Sequence, residues 1–187
     1  MAEDVKAYLV IDKNFESINI LQKMIFLITK LDLSLKNEEG FIPLELPYNE
    51  LTKLSVSIKT IAHDLNLDGI GLCIVPCFGN KIKALIPLDK YDFYYLYDEI
   101  FKGVRDGSIE ANKVTSILEN INKETLDTIE NYIRFDQSVS LTGEYMFAHR
   151  NTINYRVNKF ISTSQINIRQ MHNAIFVAYV INLIKQQ

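Results

Sequence analysis

The sequence predicts an α+β protein, with a small α/β domain over residues 1–118 followed by an all-helical domain over residues 119–187. Short apolar runs bounded by glycine or proline alternate with segments of helical period as far as residue 107. Beyond Ser108, no segment has the pattern of a strand. Apolar residues fill 48% of the 187 positions, which is enough for packed cores in a chain of this length.

Four apolar runs predict the strands of the first domain, and three segments of helical spacing predict its helices. The strands are expected at residues 7–11, 41–46, 69–75 and 82–86, and the helices at 15–33, 48–65 and 91–104. Phe78, Gly79 and Asn80 lie between the last two strands and favour a hairpin there. The order β-α-β-α-β-β-α predicts a small sheet with helices packed on at least one face.

The second domain is expected to begin with helices at residues 108–121 and 124–135. The next stretch, residues 139–156, reads V-S-L-T-G-E-Y-M-F-A-H-R-N-T-I-N-Y-R and predicts a short helix, a tight turn and a second helix. A supporting helix followed by a helix with a polar, basic first turn is the layout of a protein that reads the major groove of DNA. We expect this recognition helix to cover residues 150–161.

The two faces of the recognition helix differ in chemistry. Its apolar residues recur at i, i+4, i+7 and i+8, which predicts that one face docks on a core; they are Ile153, Val157, Phe160 and Ile161. The opposite face carries polar and basic side chains suited to phosphates and base edges. The residues expected to contact DNA are Ser140, Thr142, Arg150, Asn151, Thr152, Asn154, Tyr155, Arg156 and Lys159.

Two residues at the turn allow other interpretations. Arg150 points nearer the supporting helix than the outward stripe, so it can hold Glu144 or a phosphate rather than a base. His149 is expected to cap the helix or pack rather than to act as a ligand or base.

The last helix, expected at residues 169–185, is apolar on all sides between Ala174 and Ile181. A helix without a polar face must be buried on more than one side. We therefore expect it to pack under the helix-turn-helix and against the N-terminal domain or a second subunit. A homodimer is favoured, because two-fold symmetry doubles the contacts of such proteins with DNA.

Charge is distributed unevenly along the chain. The formal net charge is −3, which argues against a protein that is basic throughout. Residues 139–169 nevertheless carry four basic side chains against one acidic, Glu144. The positive charge therefore coincides with the predicted recognition helix.

The helix-turn-helix segment resembles the C-terminal domain of the PucR family, which includes bacterial regulators of purine catabolism and sugar-diacid use. The residues that carry the resemblance are Val139, Ser140, Thr142, Met146, Phe147, His149, Arg150, Asn151, Thr152, Ile153, Tyr155 and Arg156. Residues 166–169, followed by Ala174 and Ile175, resemble the stretch that leads into the closing helix of that family. The resemblance covers about the last third of the chain and implies a transcriptional regulator that binds double-stranded DNA.

This chain departs from the pattern of that family at four positions. Gly143 replaces a usual alanine, which keeps the position small at a cost of roughly 1 kcal/mol in helix propensity. Glu144 stands where a basic residue is common, and Asn154 and Asn158 replace common arginines. The resemblance thus implies a DNA contact that depends less on charge and more on hydrogen bonds.

Other chemistry has little support in the sequence. Cys73 and Cys77 do not form a disulfide framework, and a metal site with His63 or His172 lacks a second ligand pair at loop spacing. No nucleophile elbow, phosphate loop or carboxylate pair is present, so we expect neither catalysis nor a cofactor. The aromatic cluster at residues 91–97 predicts core packing, with a ligand pocket or subunit interface as the alternative.

These observations predict a cytoplasmic DNA-binding regulator whose N-terminal domain senses a small-molecule effector or mediates assembly. The acidic start Ala2-Glu3-Asp4 is unlike a signal peptide, and no apolar run approaches the roughly 20 residues of a membrane span. The alternative is a protein–protein adaptor that keeps the helix-turn-helix shape with little affinity for DNA. A small-molecule enzyme in the N-terminal domain is the third and weakest interpretation.

Overall fold

A computed structural model describes residues 4–12, 18–30, 39–64, 69–87 and 92–187, and the chain divides into two compact units, Met1–Glu99 and Ile100–Gln187. The first unit contains a four-stranded sheet and the second is helical, so the predicted α+β class is confirmed. The division lies before the boundary expected between residues 118 and 119, which stays a prediction.

The first unit alternates strands and helices. In chain order its elements are β1 (Asp4–Ile11), α1 (Ile18–Thr29), β2 (Phe41–Pro47), α2 (Tyr48–Asp64), β3 (Ile70–Ile74), α3 (Asn80–Lys83) and β4 (Phe93–Tyr95). The strand order is β2-β1-β3-β4; β1 is antiparallel to both neighbours, and β3 is parallel to β4. The predicted helix ends at residues 15, 33, 65 and 91 lie outside the described residues.

The core of the first unit follows from the two-residue period of its strands. Leu9 of β1, Ile42 of β2 and Leu72 of β3 belong to one buried cluster with Leu21 of α1 and Leu54 of α2. Alternate residues of each strand point to the same face, so these apolar positions meet the apolar stripes of both helices. The predicted packing of helices on at least one face of the sheet is thus confirmed.

The predicted hairpin between residues 69–75 and 82–86 is wrong. β3 forms as expected, but the second segment begins as the single helical turn α3. Its buried residues are Ile82, Leu85 and Ile86, at positions i, i+3 and i+4. That spacing suits a helical turn better than a strand, so a short apolar run was mistaken for a strand.

The fourth strand lies where the sequence predicted the start of a helix. β4 occupies Phe93–Tyr95 and pairs in parallel with β3, whereas helix α4 (Leu96–Asp106) begins only after it. Aromatic residues favour strands, which is consistent with this short aromatic segment. Tyr94 and Tyr97 are buried, as the packing interpretation of the aromatic cluster predicted, and Tyr91 lies outside the described residues.

The second unit is built from helices. After α4 these are α5 (Ala111–Thr115), a 3₁₀ turn (Ser116–Leu118), α6 (Lys123–Arg134), α7 (Val139–Tyr145), α8 (Arg150–Ser164) and α9 (Met171–Lys185). Asn122 caps α6 by accepting a hydrogen bond from the Thr125 N–H at 2.8 Å. Phe160, Phe176 and Val177 have no exposed surface and lie in the core of this unit.

The closing helix α9 is buried over a wide face but not on all sides. Phe176, Val177 and Val180 are buried, whereas Met171 is 70% exposed and Ile175 is 54% exposed. Within the described residues, no helix combines the length and apolar character needed to cross a membrane.

Candidate nucleic-acid interface

Helices α7 and α8 are joined by a tight turn. The turn keeps a backbone hydrogen bond from the Ala148 N–H to the Gly143 carbonyl at 2.9 Å, and Phe147 has a positive φ of 51°. A left-handed conformation reverses the chain in few residues, although a side chain such as that of Phe147 adopts it less readily than glycine. The helix, turn and helix expected over residues 139–156 are therefore present.

The small size of Gly143 allows the turn to close against α7. A Cβ atom added at Gly143 would lie 2.8 Å from the carbonyl oxygen of Ala148, which belongs to the backbone. Gly143 itself is buried. The small size noted for Gly143 in the sequence is therefore needed for this close approach, and the sequence alone could not show which atom the residue meets.

The recognition helix α8 begins with a histidine cap. The Nδ1 atom of His149 accepts a hydrogen bond from the backbone N–H of Asn151 at 3.3 Å. A side chain that accepts from the first turn satisfies one of the backbone donors that a helix start leaves unpaired. The capping role expected for His149 is confirmed.

The inward face of α8 fixes this helix on the core. Ile153, Val157 and Phe160 have no exposed surface, in agreement with their predicted spacing. The helix ends at Ser164, beyond the expected end at residue 161, and Gln165 terminates it with a φ of 60°. Once these three residues are buried, the helical period fixes which residues face solvent.

The outward face of α8 presents polar side chains to solvent. Asn151 and Lys159 are exposed, and Tyr155 between them is 64% exposed. Arg150 at the helix start and Ser140 on α7 are also exposed. These five side chains are therefore accessible from solvent.

Two further candidate residues are half-buried, and of the two alternatives open to Arg150, the ion pair with Glu144 does not form. Thr152 and Asn154 flank the outward stripe and keep part of their surface. Among the described residues, Arg150 makes no ion pair with Glu144, although both are exposed. Arg150 is thus directed toward solvent at the start of α8.

Thr142 does not reach the surface. It has no exposed area, and its hydroxyl donates to the Ser138 carbonyl oxygen at 2.7 Å. Together with Val139, Gly143 and Met146, it follows the i, i+3, i+4, i+7 spacing of an inward helix face. A direct contact between Thr142 and DNA is therefore incompatible with the position of this side chain.

Arg156 faces α6 rather than solvent. Its Nη2 atom forms an ion pair and hydrogen bond with Glu124, and its Nη1 atom donates to the Thr128 hydroxyl at 3.2 Å. Only 18% of the Arg156 side chain is exposed. The sequence placed Arg156 beside the outward stripe, but the helical period could not show that α6 supplies partners on that side.

Asn158 is a polar residue of the outward face that was not among the expected DNA contacts. It is exposed and its Oδ1 atom accepts a hydrogen bond from Arg169 Nη2 at 2.9 Å. The helical period of the sequence already places Asn158 beside the outward stripe, seven residues after Asn151. The bond connects α8 with the segment that leads into α9.

The described residues show no cluster of three side chains that could hold a metal ion. Cys73 and Cys77 are both free and buried in the first unit. Burial raises the pKa of the Cys77 thiol to about 11, and nearby Lys6 opposes that shift. Both cysteines are therefore buried as small apolar side chains, which is common for a free cysteine.

Comparison with known proteins identifies this helical segment. Residues 125–180 match the PucR C-terminal helix-turn-helix domain. The match extends from the first turn of α6 into α9 and includes the whole of α7 and α8. The resemblance to the PucR C-terminal helix-turn-helix domain is thus confirmed for this part of the chain.

The solved structures include one with similarity along the full chain. It is the crystal structure of a regulator of polyketide synthase expression from Bifidobacterium adolescentis, at 14% identity and a TM-score of 0.40. The similarity covers 100% of this chain and 82% of that one. No curated protein sequence matches this chain.

Proposed function

We propose that this protein is a cytoplasmic transcriptional regulator that binds duplex DNA through α7 and α8, as a homodimer and without catalytic activity. The observation that carries the proposal is the two-faced α8 within a PucR C-terminal helix-turn-helix domain. Its inward face is fully buried at Ile153, Val157 and Phe160, while Asn151, Tyr155 and the other outward residues stay exposed.

The exposed side chains have the chemistry to recognise DNA. An asparagine such as Asn151 can bond an adenine with both atoms of its amide, which discriminates between bases in the major groove. Tyr155 can donate its hydroxyl to a phosphate or a base edge, and Arg150 and Lys159 can neutralise phosphates. We therefore assign base recognition mainly to Asn151 and Tyr155, and backbone contacts to Arg150, Lys159 and Ser140.

A second copy would compensate for the small charge of one recognition surface. Arg150 and Lys159 are the exposed cations of α8, and Glu144 on α7 adds an opposing charge. Phosphate contacts provide much of the affinity of DNA-binding proteins, so a single copy is expected to bind weakly. Two copies related by a two-fold axis would bind half-sites about one helical turn, roughly 34 Å, apart.

The first unit is proposed to receive a small-molecule effector or to mediate assembly of the dimer. The functional boundary is proposed between residues 118 and 119, so that the α/β part and the DNA-binding part form separate domains. A ligand that shifts the DNA affinity of the full chain, and whose own affinity changes by the same factor when DNA is bound, would support sensing.

The decisive experiment is selection of genomic DNA fragments by the purified full chain at near-physiological salt, followed by sequencing. Enrichment of one short palindrome supports a dimeric regulator. The variants Asn151→Ala and Tyr155→Ala should then lose specific binding while hydrogen exchange of α8 stays unchanged. Thr163→Ala, at an exposed position near the end of the same helix, serves as the matched control and should bind like the wild type.

A protein–protein adaptor is the second candidate, because this domain also exposes apolar side chains. Leu141 and Tyr145 on α7 are about half exposed, and Phe147 in the turn is 99% exposed. Salt separates the two functions: DNA binding weakens steeply as salt rises, whereas an apolar protein contact does not. A folded protein that enriches no DNA and keeps a partner at high salt would favour the adaptor.

A further inference from the structure

We propose that Arg156 is a positioning residue, which sets the orientation of α8 through Glu124 and Thr128 of α6 and makes no contact with DNA itself. This inference rests on the proposed function, because the orientation matters only if the outward face of α8 reads a ligand. Its structural basis lies entirely within the second unit.

Arg156, Glu124 and Thr128 form a closed set of hydrogen bonds, one of which uses the backbone of Glu124. Arg156 bonds Glu124 through Nη2 and the Thr128 hydroxyl through Nη1. That hydroxyl in turn donates to the backbone carbonyl of Glu124 at 2.9 Å. Both partners therefore lie on one face of α6, four residues apart, and both terminal nitrogens of the guanidinium have a partner in this helix.

Burial makes this set different from a surface ion pair. Thr128 has no exposed surface and Arg156 has 18%, although the Glu124 side chain remains 70% exposed. A guanidinium donates in a fixed planar fork, so two acceptors on α6 define a direction as well as a distance. The solvent-exposed Glu124 carboxylate alone would contribute little.

Rotation of α8 is the motion that this arrangement opposes. The buried side chains Ile153, Val157 and Phe160 hold α8 by apolar packing, which is not directional. Arg156 lies next to Tyr155 in sequence, at the border of the buried and exposed faces. A small rotation of α8 would displace Asn151 and Tyr155 from their target bases, since recognition tolerates errors of only about 10–20°.

The test compares Glu124→Ala, Arg156→Gln and the double variant by binding to the DNA site that the wild-type protein selects. Positioning predicts that Arg156→Gln loses on the order of tenfold in specific affinity, that Glu124→Ala loses less because Arg156 keeps its bond to Thr128, and that the double variant loses no more than Arg156→Gln. The slope of log affinity against log salt should stay unchanged. Arg156→Lys, which keeps the charge without the planar fork, should recover only part of the loss.

A contact between Arg156 and a phosphate would give the opposite set of results. If Arg156 contacted a phosphate, Arg156→Gln would reduce the salt slope by about one, and Glu124→Ala would raise affinity by removing a negative charge. Lys159→Gln provides the positive control for such a change in slope. Lys185→Gln breaks another ion pair of α6, with Glu130, without touching α8, and should leave specific binding unchanged.

Hydrogen exchange of α8 in the same variants separates this inference from the proposed function. If the wild-type protein selects no DNA, the proposed function fails, and exchange then decides the positioning role alone. Non-additive loss of protection, larger in Arg156→Gln than in Glu124→Ala, would uphold the connection between α6 and α8. Unchanged protection, or independent losses that simply add, would overturn it.

Discussion

Replacement of Thr142 by valine and by serine separates a packing role from a DNA contact. Thr142 has no exposed surface and its hydroxyl donates to the Ser138 carbonyl at 2.7 Å. The same carbonyl also accepts the backbone N–H of Thr142 at 3.0 Å. Valine therefore removes the hydroxyl without leaving the Ser138 oxygen unpaired, whereas serine keeps the hydroxyl and removes a buried methyl group.

The two substitutions differ in their expected effect on the free energy of unfolding. Thr142→Val loses a hydrogen bond with a net value of about 0.5–1.5 kcal/mol, while the added methyl contributes about 0.8 kcal/mol of burial. We therefore expect a change of less than about 1 kcal/mol. Thr142→Ser loses about 0.8 kcal/mol of burial and some further stability to the small cavity that remains, so we expect it to be less stable than the valine variant.

These changes in stability are measured by urea unfolding of the full chain and by hydrogen exchange of α7 and α8. DNA binding of the two variants and the wild type is then compared at equal folded fractions. The packing role predicts wild-type affinity for the valine variant. A contact through the Thr142 hydroxyl predicts the reverse, since serine would retain that contact and valine would lose it. Loss of specific binding in a fully folded Thr142→Val protein would refute the inward placement of this residue.

Three further predictions concern the turn, the salt dependence and the first unit. Gly143→Ala should lower stability in urea, because the clash with the Ala148 carbonyl outweighs a propensity gain of about 1 kcal/mol; a more stable variant would contradict the close approach. For the proposed dimer the slope of log affinity against log salt should be about −4, which is about −2 per chain from Arg150 and Lys159, and a slope of about −4 per chain would require further phosphate contacts. Unfolding at rising pH should show stability that is unchanged below about 9 and falls toward 11, because the unfolded Cys77 thiol ionises first; no decline would contradict its burial.

The helical domain could be predicted from the sequence largely because its pattern is local. Ile153, Val157 and Phe160 repeat with the period of a helix, and each is fully buried. His149 precedes the first helical residue and caps it. Period, cap and turn all depend on residues within a few positions of one another, and a single sequence contains that information.

The sheet was harder to predict because its pairing is not local. β4 has only three residues and pairs in parallel with β3, from which it is separated by α3 and the residues that follow it. A parallel pair needs such a crossover, so no turn sequence marks the two strands as partners. The segment at residues 82–86 was mistaken for a strand because periodicity does not classify a short apolar run reliably.

The sequence predicted which face of α8 forms the candidate site, but it did not predict which residues of other helices bond to α8. The helical period placed Asn151, Tyr155 and Lys159 together, and all three are exposed. It placed Arg156 beside them, yet could not show that Glu124 and Thr128, about thirty residues earlier, occupy that side. For Thr142, the spacing of α7 already indicated an inward position, which agrees with the burial of this side chain.

If the protein binds DNA as proposed, the placement of Arg156 changes which physical forces are available for recognition. With its guanidinium bonded to α6, the exposed cations of α8 are Arg150 and Lys159, so the proposed function assigns much of the discrimination to uncharged groups such as Asn151. Hydrogen bonds to base edges depend on angle far more than charge attraction does. A protein that recognises bases in this way needs a recognition helix of fixed orientation. Helix α8 is bonded on one side to α6 through Arg156, and on another side its Asn158 accepts a hydrogen bond from Arg169. In the proposed function, the bonds of Arg156 to α6 therefore fix the helix orientation on which the hydrogen bonds of Asn151 to DNA depend.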